Sequence, residues 1–111
     1  MTPQNLLRHQ DLATLWPTGC GLTVTEAYEH ALAVRALRMA RGEVPRGFKV
    51  GFTNRTIWPR YGVYGPIWGT VWNTTLTFCD TEGDLSLTGT CQPRIEPECV
   101  FGMAVTPPPD A

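Results

Sequence analysis

The chain has 111 residues, 42% of them hydrophobic and 17% charged, with a formal net charge of −1. That balance fits one globular domain and excludes a disordered chain. It also argues against nucleic acid or an anionic membrane surface as the main partner, because no basic stripe accompanies the four Trp and three Tyr.

Residues 3–16 carry Leu6, Leu7, Leu12, Leu15 and Trp16 among polar residues, a spacing that predicts a short amphipathic helix. No basic segment followed by an apolar core opens the chain, so no signal peptide is readable. Pro17 to Gly21 breaks the first helix. Thr23 and Glu26 then form the pattern of a capping box, and Ala27, Tyr28, Ala31, Leu32, Val34 and Leu37 continue at helical steps. The second helix is expected over about 24–41. Arg35, Arg38 and Arg41 suit its C-terminal dipole, and Gly42 stops it. Its aliphatic run, Ala31–Val34, ends at Arg35, far short of the roughly 20 apolar residues of a membrane span.

From residue 47 the pattern turns to strands. In Arg46–Thr53, Phe48, Val50 and Phe52 share one face, while Lys49, Gly51 and Thr53 share the other. Gly51 leaves room beside Lys49 for a ligand or another backbone. Lys49 is either an ordinary solvated lysine or one that anchors a carboxylate or assists proton transfer, its pKa lowered by burial. The aromatic, glycine-punctuated stretch Tyr61–Gly69 either lines a small-molecule site or plugs the end of a sheet. It feeds a strand expected around Thr70–Leu76. Another strand is expected around Leu85 and Leu87, after the turn Asp80–Gly83.

A last strand is expected over Arg94–Phe101. Alternation there puts Glu96 and Glu98 on one face, about 6.6 Å apart at the backbone, with Ile95, Pro97, Cys99 and Phe101 opposite. Two carboxylates so placed either converge on one hard divalent cation or are simply solvated. Pro97 marks an edge or a bulge. The four cysteines (Cys20, Cys79, Cys91, Cys99) form no C-x-x-C pair and have no histidine cluster nearby, so they read as reduced thiols and zinc is not expected. With no secretory route, the expected location is cytoplasmic.

Three stretches taken in order, Gly47–Thr53, Gly65–Gly69 and Pro93–Glu98, resemble the 2-keto-4-pentenoate hydratase family, which also contains 2-oxo-3-hexenedioate (4-oxalocrotonate) decarboxylases. Both belong to the fumarylacetoacetate hydrolase-like superfamily. The resemblance implies an α+β fold, a mixed β-sandwich or roll with N-terminal helices. It implies a Mg²⁺ or Mn²⁺ site on Glu96 and Glu98, with Lys49 near the substrate. The substrate would be a short 2-keto acid or its enol, either hydrated or decarboxylated as a lyase of aromatic catabolism. It further implies that residues 1–106 are the N-terminal part of a longer domain, because the family's third acidic metal ligand lies downstream of the equivalent of Thr106, and that the Pro-rich tail 107–111 sits at a truncation point. A homo-oligomer or association with a full-length relative then follows. The competing functions are a non-catalytic partner subunit and a small-ligand binding module built on the aromatic loop.

Overall fold

The computed structural model describes residues 1–15 and 19–111. Helix α1 spans Pro3–Asp11. The Thr2 hydroxyl caps it by accepting from the Asn5 N–H at 3.2 Å, and Pro3 fills the first turn, where no N–H is needed. The expected helix over 3–16 stops early. Ala13 takes a left-handed φ of 51°, and the Thr14 N–H closes back on the His9 carbonyl at 3.0 Å. Leu12 and Leu15 thus lie outside the helix and exposed, and Trp16 falls outside the described residues.

Helix α2 spans Val24–Ala40, within one residue of the expectation. Its capping box is reciprocal: Thr23 Oγ1 accepts from the Glu26 N–H at 3.2 Å, and Glu26 Oε2 accepts from the Thr23 N–H at 2.7 Å. At the other end Gly42 turns left-handed (φ 100°), which lets the Glu43 N–H reach the Arg38 carbonyl at 3.1 Å.

Strand β1 (Pro45–Gly51) pairs antiparallel with strand β2 (Ile67–Trp72), Lys49 opposite Gly69 and Val50 opposite Trp68. Between them come a 3-10 turn, Arg55–Ile57, and a single helical turn α3, Trp58–Tyr61. Phe52 adopts φ 57°, and its carbonyl accepts from Trp58 Nε1 at 2.8 Å. That bond folds the connection back on the strand. Most of the aromatic stretch serves as bracing: Tyr61 meets Phe52 edge-on at 5.6 Å, and Trp68 stacks on Tyr28 of α2 at 5.3 Å.

One sheet face turns to α2. Phe48 meets Trp68 edge-on at 5.5 Å, Arg35 lies 5.9 Å from the Phe48 ring centre, and Arg38 lies 4.6 Å from the Trp72 ring centre. Among the described residues only Val34 and Trp72 are buried apolar side chains. A charged clasp closes the junction of helices and sheet. Glu43 takes Arg38 at 2.7 Å, Arg41 at 2.6 Å and the Thr74 hydroxyl at 2.6 Å, while Arg41 also pairs with Asp11 of α1 at 2.8 Å.

The α+β class stands. The described residues build one two-stranded sheet, however, and supply no second sheet of a sandwich. The strand expected around Thr70–Leu76 lies three residues earlier and ends at Trp72, where Thr75 turns back onto the Trp72 carbonyl. The strands expected around Leu85 and over Arg94–Phe101 are not formed. A strand needs a ladder partner and a layer to cover it. Here β1 and β2 pair with each other, Pro93 and Pro97 cannot donate, and Leu85, Ile95 and Phe101 are exposed. The sheet irregularity sits in β1, between Pro45 and Gly47, and not at Pro97. No helix among the described residues is long and apolar enough to cross a membrane.

Candidate functional site

The sheet face away from α2 is floored by small residues. Gly51 and Gly69 flank Lys49, and an open concavity of about 510 Å³ over them is walled by Ile67, Val71 and Thr75. Lys49 rises from this floor because β1 alternates: Phe48 and Val50 turn to α2, so Lys49 turns away. Gly51 is less demanding than its spacing suggests. A Cβ there would stand 4.0 Å from Lys49 Nζ and 3.9 Å from Ile67 Cγ1, ordinary contact distances.

The three residues singled out from sequence converge on this face. Lys49 Nζ lies 3.0 Å from Glu98 Oε1 and 3.1 Å from Glu96 Oε2, although the acids stand nearly fifty positions along the chain and outside any strand. Their side chains remain 51%, 47% and 61% exposed for Lys49, Glu98 and Glu96. The lysine's pKa is raised, first by the hydrogen bond to Glu98 and then by that to Glu96. Of the two readings open from sequence, the buried lysine with a lowered pKa is the one that this geometry does not match. Lys49 is half exposed and doubly paired, so at neutral pH it is a charged donor and not a base.

The donor set suits a hard cation in kind but not in number. Glu96 and Glu98 offer carboxylate oxygens, yet no group of three His, Cys, Asp or Glu side chains comes together among the described residues. Magnesium favours six oxygens in octahedral order, so these two acids would fill only part of a coordination sphere. The four cysteines are free and exposed, and none joins the cluster.

Sequence reasoning missed Glu43, the best-connected acid in the chain. Its pKa falls to about 2, chiefly through the Arg38 hydrogen bonds, then that of Thr74. The readable signal was its place just past the Gly42 stop, within reach of Arg38 and Arg41 on the last turn of α2.

Comparison with known proteins finds one likeness. The chain is 35% identical over 80 residues to a 4-oxalocrotonate decarboxylase of a Pseudomonas species. The two are distant relatives. The match covers 72% of this chain but 30% of that protein, so the chain spans about a third of its relative's length. No protein-family model matches the chain, and no solved structure matches it.

Proposed function

We propose that this chain belongs to a lyase acting on short 2-keto acids, in which Glu96 and Glu98 hold a divalent cation and Lys49 binds the substrate's carboxylate. The observation that carries the reading is the convergence of Lys49, Glu96 and Glu98 over a glycine floor. The decarboxylase relative supports lyase chemistry, and its name favours loss of CO₂ over hydration.

Each residue's role follows from its chemistry. Glu96 and Glu98 are acceptor-only when ionised, so they hold cations, whether the lysine ammonium or a metal. With a metal on the pair, Lys49 loses the partners that raise its pKa, yet as a half-exposed ammonium it stays charged at neutral pH, a three-donor cation free to orient a carboxylate across Gly51 and Gly69. Mg²⁺ or Mn²⁺, when bound, would supply Lewis-acid charge to the 2-keto oxygens. The remaining oxygens of the coordination sphere come from water, from the substrate, or from protein beyond these residues, in a homo-oligomer or a longer relative.

Manganese titration by calorimetry tests this, with and without 2-oxobutanoate. Binding is expected to be weak, to strengthen when the keto acid is present, and to fall about tenfold in Glu96→Gln and in Glu98→Gln. Equal manganese affinity in wild type and both variants would overturn the assignment.

A further inference from the structure

The opposite face of the sheet holds a second concavity. Helix α2 touches β1 and β2 through rings and guanidinium groups and not through a continuous apolar layer. The gap left beneath it is a groove of about 380 Å³, lined by Leu6 of α1, Ala31 and Val34 of α2, and Trp68 and Trp72 of β2. Two arginines reach it. Arg38 is already matched to Glu43. Arg35 forms no ion pair among the described residues, and its Nε is shut off from solvent without a hydrogen-bond partner. Its recorded contact is the Phe48 ring. The groove's lining includes no acidic residue.

A shielded guanidinium donor left unmade is costly, and a small turn of the Arg35 side chain into the groove would let one carboxylate satisfy it. We propose that this groove is a binding site for a small monocarboxylate with an apolar, ring-sized body. The carboxylate takes the Arg35 guanidinium, and the body lies between Ala31, Leu32 and the exposed part of Trp68, since Arg38 covers the Trp72 ring. The class follows from the lining: one available positive charge, a half-exposed indole and aliphatic walls match a single anion on an apolar frame, whereas a phosphate dianion would want a second cation, and Arg38 is already matched to Glu43. The volume lies at the small end of ordinary ligand pockets. The site lies across the sheet from Lys49, and neither Glu96 nor Glu98 takes part in it.

Quenching of tryptophan fluorescence in the full chain reads it directly, with 3-phenylpropanoate as the probe and 3-phenylpropanol and inorganic phosphate as comparisons. The acid is expected to bind about tenfold or more tighter than the neutral alcohol, and phosphate is expected not to compete. Arg35→Met keeps the aliphatic stem and is expected to erase the preference; Arg35→Lys keeps the charge without the fork and is expected to retain part of it. The titrations are made without divalent metal, where Glu96 and Glu98 hold Lys49, which separates this groove from the carboxylate-binding face. Equal affinity for acid and alcohol overturns the proposal, and this comparison needs no variant to fold. So does an unaltered preference in Arg35→Met, or sedimentation showing that the acid acts only by dissociating a dimer whose second copy fills the groove.

Discussion

Replacing Glu43 with glutamine removes the charge at the centre of the clasp while keeping the side chain's shape. Three groups then lose an ionic acceptor: Arg38, Arg41 and the Thr74 hydroxyl. The carboxyl drops from 4.5 to about 2 in the folded chain, and each tenfold in the protonation constant is worth about 1.4 kcal/mol, which sets a ceiling near 3 kcal/mol. Glu43 is 10% exposed but Arg41 is 39% exposed, so solvent screens part of this and about 1.5–2 kcal/mol remains. Thermal denaturation followed by circular dichroism is expected to show a melting point lower by about 10 °C for a unit of this size. The pH dependence gives a second reading. A carboxyl depressed on folding contributes fully above its unfolded value and loses that contribution as pH falls toward its folded value. Wild type should therefore lose this increment between roughly pH 5 and pH 2, whereas Glu43→Gln should lack that part of the acid slope. A variant melting within about 2 °C of wild type at neutral pH, or an acid slope parallel to wild type's, would refute the reasoning.

Thr23→Ala removes one half of the capping box, and chemical denaturation is expected to show about 1 kcal/mol less stability; no change would mean that Glu26 alone holds the helix start. Glu98→Gln removes the first cause of the raised Lys49 pKa, and lysine NMR titration is expected to show the ammonium titrating at lower pH than in wild type; an unmoved titration would show that the cluster does not persist in solution. The hairpin has unpaired outer edges, and Phe48, Ile95 and Phe101 are 62%, 95% and 84% exposed, so sedimentation velocity is expected to show dimers or larger species, and a monodisperse monomer would contradict this.

What was legible in the sequence was local. The capping box at Thr23, the stop at Gly42 and the alternation around Lys49 rest on contacts within a few residues, and each is found where the pattern places it. The end of α1 was not legible, because Ala13 carries no signal for a left-handed φ. The strand expected over Arg94–Phe101 failed for the opposite reason. Its alternation is real, but alternation records only a preference for a half-covered surface, and these residues bring none. The resemblance implied a metal on Glu96 and Glu98 and a substrate near Lys49, not a pairing of the three; the structure pairs the lysine with both acids, without the strand that was to position them. The Arg35 groove carries no sequence mark, since it exists only as a space between helix and sheet.

The link from Lys49 to Glu96 and Glu98 closes the loop that runs from Trp72, where β2 leaves the sheet, to Glu96. Bringing the ends of such a loop together costs chain entropy that grows with its length, while two exposed, solvent-screened ion pairs return little. Closure by these pairs alone is therefore shallow, and salt loosens it further. Any ligand of the two carboxylates must draw the segment out of an ensemble in which it is only partly docked. Its observed affinity is then the intrinsic affinity scaled by the docked fraction. Whatever holds residues 94–101 against the sheet, whether a second chain or a covalent tether, tightens the site without touching one of its ligands.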